Sequence, residues 1–315
     1  MKLGRWLGLV WLVGLSWAHA VWADPAYTLS ARALAADTWV IEGANADFAP
    51  ANGCNIINTG FIATGAGAVV INTGPSRLYG EAQRKLVQVT TGEKVVRVLN
   101  LNLHPDYFFG NQAYTDVPTA ALAGARAGMQ REGEGYADNL YRLCGDWMKG
   151  TASTPPTQVL EPGAMTVGRH TLELRRWHGH TPDDLVLVDR ATGVVFAGGL
   201  VFSQRIPTLP HAALPDWLAS LDQLQSLISS VPLVALVPSH GPVRADSLAL
   251  EQTRAYLVWL DQHLRACAQQ GMDLSEVLRL PLPAPFNTFA AAATEYPRNL
   301  ITIYPRYERE ALLAK

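Results

Sequence analysis

Three apolar runs in this chain each stop at a turn that carries a histidine. Residues 94–99 lead into Asn102-Leu103-His104-Pro105-Asp106-Tyr107, and residues 166–177 lead into His178-Gly179-His180-Thr181-Pro182. Residues 233–237 lead into Pro238-Ser239-His240-Gly241-Pro242. Short apolar runs bounded by turn residues read as strands. The nearly continuous run over residues 95–101 reads as a strand buried on both faces. Such strands need layers packed above and below them, so the chain is confined to layered α/β architectures. The histidines then stand at strand ends, where loops carry chemistry.

The remaining pattern follows the same logic twice. Residues 38–42 read as a short strand, and residues 54–64 and 66–72 as a hairpin around Gly65. Ser76 is placed as an N-cap, and over residues 77–89 Leu78, Ala82, Leu86 and Val89 share one helical face. Residues 130–149 are rich in helix formers. In the second half, residues 166–177 read as a strand, and residues 185–189 and 194–202 as a hairpin. A helix over 215–229, the strand at 233–237 and a long helix over 248–269 follow. The tail from Asp273 is proline-rich and turns helical near 307–313. Strands followed by a helix, twice over, suggest two face-to-face sheets with helices outside.

Lys2 and Arg5, then the apolar stretch 6–17, then Ala18-His19-Ala20 and Val21-Trp22-Ala23 form the pattern of a secretory signal peptide. The expectation is a leader over residues 1–23 and a single exported domain over 24–315, periplasmic or secreted. The apolar stretch is too short to span a bilayer, so no membrane association is expected after cleavage. Loss of the leader leaves the chain two units more negative than its formal net charge of −2. With no basic run interleaved with aromatics, a nucleic-acid partner is not expected. Cys54, Cys144 and Cys267 lack the close spacing of a cysteine-rich zinc site. Export permits a disulfide between Cys54 and Cys144. Buried free thiols are the other reading.

Five motifs in order carry a resemblance to a known family. They are Asn52-Gly53 with Asn58-Thr59-Gly60-Phe61, Thr73-Gly74-Pro75-Ser76-Arg77, His104-Pro105-Asp106 with Gly110-Asn111-Gln112, Gly179-His180-Thr181-Pro182, and Ser239-His240-Gly241-Pro242. Over residues 37–315 the chain resembles the metallo-β-lactamase superfamily. It is most similar to the exported branch called quinoprotein relay system zinc metallohydrolases, associated with pyrroloquinoline-quinone (PQQ) alcohol dehydrogenases. The resemblance implies an α+β fold, an αββα sandwich of two packed mixed sheets with helices outside. It also implies a two-zinc site at positions matching Asn102, His104 and His180 for one ion and Asp106, Tyr107 and His240 for the other. A carboxylate at the position of Gly199 would bridge them, and a shared hydroxide would attack the substrate.

This chain departs from that pattern at Asn102, Tyr107 and Gly199, where the family has His, His and Asp, and at Asn72 and Asp183 nearby. Two dications about 3.5–4 Å apart need anions between them, and a glycine supplies none, so a dinuclear zinc centre is not expected. His104, Asp106, His180 and His240 remain as candidate ligands for one zinc or iron ion, with Asp106 the candidate catalytic carboxylate. His178, two residues before His180, and Asp183 read as ordinary loop residues, Asp183 facing solvent. His170, His211 and His263 read as surface or structural. No Gly-x-Ser-x-Gly elbow or Walker-type phosphate loop competes. Two functions stay open: a metallohydrolase-like enzyme acting on an ester, thioester, lactone or amide, and a non-catalytic accessory protein of a quinoprotein dehydrogenase system.

Overall fold

The computed structural model describes residues 25–313, so the expected leader lies outside the described residues. Strands β1 (Arg32–Ala35), β2 (Thr38–Ile41), β3 (Thr59–Ala63), β4 (Ala68–Ile71), β5 (Val95–Leu99), β6 (Thr119–Ala121) and β7 (Gln158–Val159) form one sheet in that spatial order. Strands β8 (Gly163–Val167), β9 (His170–Trp177), β10 (Asp184–Asp189), β11 (Val194–Phe202) and β12 (Ala235–His240) form the second, in reverse order. The first sheet is antiparallel from β1 to β4 and parallel from β4 to β7. The second is antiparallel except where β11 meets β12. Both sheets are therefore mixed.

The period-2 alternation of side chains sorts the apolar residues into layers. Leu185 and Leu187 of β10 join Val69, Ile71 and Leu99 of the first sheet in one core between the sheets. Val186 and Val188, one residue out of phase, pack with Trp217, Leu221, Leu257 and Leu260 on the other side. Those partners belong to α2 (Leu214–Ser229) and α3 (Leu248–Gln269), while α1 (Arg77–Thr91) covers the outer face of the first sheet through Tyr79 and Val87. The layers are thus helix, sheet, sheet, helix, as expected. Burial on both faces explains why β4, β10, β11 and β12 contain no exposed position.

Local chemistry sets the ends of α1. The Ser76 hydroxyl accepts from Tyr79 N at 3.2 Å, and Gly92, at φ 73°, closes the C-terminus. Two expectations need correction. The strand expected over 166–177 is two strands, β8 and β9, turned at Gly168, which lies at φ 53° with Thr64 O where a Cβ would sit. The tail helix extends far beyond 307–313, over Ala292–Leu313, despite Pro297 and Pro305. Tyr296, Leu300, Ile303, Tyr304 and Tyr307 bury one face of it in the same core as α3. That burial outweighs a cost of about 3 kcal/mol per interior proline.

Cys54 and Cys144 are joined in a disulfide, with Cα atoms 6.0 Å apart, and Cys267 is a buried free thiol. The bridge ties the loop before β3 to the end of a long helix, Ala123–Cys144. Among the described residues, no helix is long and apolar enough to cross a membrane.

Candidate functional site

The three histidine turns meet at one end of the sandwich because buried polar residues brace them. Asn72, at φ 56°, accepts from Leu101 N through its side-chain oxygen at 2.9 Å and so sets the strand end before Asn102. Asn58 donates to Pro238 O at 3.0 Å and Gly241 O at 2.8 Å, fixing the turn around His240. His104 precedes a one-turn helix, Pro105–Phe108, and β12 ends on His240.

The four candidate ligands fall into two pairs. His104 and His180 meet edge to face, with ring centroids 4.7 Å apart. Asp106 Oδ2 lies 2.9 Å from His240 Nε2, and His240 Nδ1 lies 3.0 Å from Ser239 Oγ. His104 Nε2 and His180 Nε2 are buried without a hydrogen-bond partner. Burial holds the His104 imidazole well below its usual pKa, helped by His180, His211 and His240. Burial and the Arg205 charge bring His240 down to about 4, against the opposing pull of Asp106. The Tyr107 phenol is pushed well above its usual range by burial and by Asp106, with Ser239 acting the other way.

Asn102 is the hub behind the histidines. Its amide nitrogen donates to Asp184 Oδ1 at 2.5 Å and lies 3.3 Å from both Thr181 Oγ1 and His180 Nδ1. Its oxygen accepts from His104 N at 3.0 Å. Gly199, on β11, leaves the space that His180 fills. A Cβ there would meet His180 Nδ1 at 2.1 Å and Asn102 Nδ2 at 2.9 Å. His180 is itself enclosed by Phe202 and Trp217, at centroid distances of 5.4 and 5.0 Å.

Asp183 does not face solvent as its turn position suggested. It is buried, paired with Arg176 Nε at 2.5 Å and accepting from Gly124 N at 2.5 Å. It braces the start of the long helix rather than the site. His178 is an exposed loop residue bonded to Pro182 O. His170 is structural, buried 3.0 Å from Asp189, and His263 stacks on Trp259.

His211 is the site residue the sequence did not reveal. Its ring centroid lies 5.4 Å from that of His104. Its Nε2 lies 3.0 Å from Glu132 Oε2 and 3.1 Å from the Tyr136 hydroxyl, which itself donates to Glu132 at 2.5 Å. These partners are remote in sequence, and no spacing rule links them. Burial lowers the His211 pKa, while Glu132 opposes the shift. Burial raises the Glu132 carboxyl, but hydrogen bonds from Tyr136 and Arg131 outweigh it and leave the group lowered.

A cavity of about 530 Å³ opens over this end, with His104, Asp106, Tyr136, Arg205, His211 and His240 in its wall. Such a volume suits a small molecule. Arg205 is almost fully buried, hydrogen-bonded to Ala46 O and 3.7 Å from Glu295. His180 lies behind His104 and is fully buried. Among the described residues, no group of three or more His, Cys, Asp or Glu side chains is arranged to hold a metal ion. Asp106 and His240 face one another, and Asn102 presents an amide N–H to His180.

Solved structures share the architecture. The metallo-beta-lactamase from Pontibacter korlensis is 20% identical, with a TM-score of 0.58, over 73% of this chain and 98% of its own. FIM-1 from Pseudomonas aeruginosa, in its mono-zinc form, is 17% identical with a TM-score of 0.59, over 76% and 99%. The enzyme from Hirschia baltica is 20% identical with a TM-score of 0.53, over 73% and 97%. At these identities the likeness speaks to fold alone. No curated protein matches the chain in sequence. The sequence model of the Metallo-beta-lactamase superfamily matches residues 52–240, more than half of the chain and every histidine turn described above. Fold, loop placement and family match together make this chain a member of the metallo-beta-lactamase superfamily.

Proposed function

We propose that the protein is an exported, hydrolase-like member of the superfamily serving a quinoprotein (PQQ) dehydrogenase system. Its pocket receives a small ester, thioester, lactone or amide, and it holds at most one zinc or iron ion. The observation that carries this reading is the cavity of about 530 Å³, with His104, Asp106 and His240 converging on its wall. The disulfide between Cys54 and Cys144 accords with export, since such bonds persist in oxidising compartments.

Members of this superfamily typically bind zinc. The residues here do not fit a dinuclear centre. Gly199 offers no carboxylate, and a side chain there would collide with His180. Asn102 presents a donor where an imidazole acceptor would be needed. Tyr107 carries a phenol that burial keeps protonated. No reaction step is therefore drawn through a metal pair. The unpartnered Nε2 atoms of His104 and His180 are the groups that favour one ion. A second reading, a non-catalytic accessory protein, is favoured by the closed contact between Asp106 and His240.

Metal per chain in the mature protein, with turnover of p-nitrophenyl acetate, a thioester, a lactone and an anilide, separates these readings. We expect at most one transition metal per chain. Two tightly held zinc ions would overturn the ligand argument. A protein inert to all four compounds is the accessory protein, not the hydrolase.

A further inference from the structure

We propose that the pocket carries a metal-independent proton acceptor, His211 Nδ1, held in place by Glu132 and Tyr136. The proposal rests on the hydrolase-like reading and names the group that acts on the bound ester or lactone. The Tyr136 hydroxyl has one hydrogen, and that hydrogen goes to Glu132 Oε2 at 2.5 Å. His211 Nε2 faces the same carboxylate oxygen at 3.0 Å and the same phenol oxygen at 3.1 Å. Both facing atoms act as acceptors towards it, so Nε2 must carry the hydrogen. In a neutral ring the lone pair then belongs to Nδ1.

Nδ1 is free to use that lone pair. It has no partner among the described residues, and it is not one of the enclosed unpaired polar atoms. The His211 side chain is 25% exposed and lines the cavity beside His104. A ring in the cavity wall with one nitrogen held by a carboxylate and the other unengaged is the arrangement of an oriented general base. Glu132 and Tyr136 act through the ring and are positioning residues. They come from the long helix whose far end the disulfide anchors.

The step balances without a further reactant. Nδ1 takes a proton from water as the water oxygen bonds to the carbonyl carbon. The bond from that carbon to the leaving oxygen then breaks, and the proton on Nδ1 passes to the leaving alkoxide. The products are an acid and an alcohol, and nothing is oxidised or reduced.

The test uses the full mature chain, before and after chelation, with p-nitrophenyl acetate as the probe. We expect hydrolysis to persist after chelation and to fall by about 100-fold or more in His211→Gln, within the usual range for a lost general base. Nitrogen-15 NMR of the chelated protein should show His211 as the Nε2–H tautomer, and Glu132→Gln should shift that signature and lower kcat more than it raises KM. Turnover by the untreated protein that vanishes on chelation would sink this proposal and leave the hydrolase reading standing. An Nδ1–H tautomer in the wild type, or equal rates in the chelated wild type and His211→Gln, would also overturn it. No turnover before or after chelation overturns both.

Discussion

Gly199→Ala tests whether His180 owes its place to a missing side chain. The added methyl carbon would lie 2.1 Å from His180 Nδ1 and 2.9 Å from both His180 Cε1 and Asn102 Nδ2. Ordinary contacts begin near 3.5 Å, so the ring must move by more than about 1 Å. It has nowhere to go. It is fully buried and walled by His104, Phe202 and Trp217, whose centroids lie 4.7, 5.4 and 5.0 Å away. Overpacking of this kind costs about 1–3 kcal/mol. Urea unfolding at constant m-value reads that loss as a lower midpoint. Gly135→Ala is the control, because its Cβ would meet nothing within 4 Å on the long helix, and there alanine should stabilise by about 0.5–1 kcal/mol. In a His180→Ala background the Gly199 substitution should cost much less, since contacting sites are not additive. A Gly199→Ala protein within about 0.5 kcal/mol of wild type, or an equal cost in both backgrounds, refutes the steric argument. The same clash means that a carboxylate installed at this position must displace His180 or Asn102.

Two other outcomes follow from the structure. The disulfide closes a separation of 90 residues, so Cys144→Ala should lower stability by about 2–5 kcal/mol; free-thiol titration of the wild type finding three reactive cysteines under denaturing conditions would show the bridge absent. Acid should also destabilise the fold through its buried histidines. The folded-state pKa of His240 is about 4, and that of His104 lies well below its usual value, so between pH 6.5 and about 4 the unfolded chain binds more protons. Stability is then full above pH 6.5 and is lost as pH falls through that window, by up to about 1.4 kcal/mol per pH unit for each group. An unchanged urea midpoint between pH 7 and pH 5 contradicts this.

Much of the architecture was legible in the sequence because its causes are local. The apolar run that opens residues 185–189 and the helical spacing in 77–89 each depend on neighbours a few positions away, and the corresponding elements β10 and α1 formed there. The long helix Leu248–Gln269 ran over the expected residues. The tail helix was missed over most of its length because prolines argue against helix locally, whereas burial against α3 is a tertiary gain.

The site divides along the same line. The order and spacing of the motifs around His104, His180 and His240 determined which turns carry chemistry, and the absence of a carboxylate at Gly199 was plain from its identity. Only the folded chain could show that His180 occupies the space beside that glycine and that Asp106 turns to His240. Asp183 looked like a solvent-facing turn residue until Arg176 and Gly124 N enclosed it. His211 has no motif around it. Its meaning comes from Glu132 and Tyr136, brought to it across more than seventy residues of chain. Periodicity reports what a residue buries along its own element. A hydrogen bond between distant loops is a property of packing, and packing is settled only when the layers close.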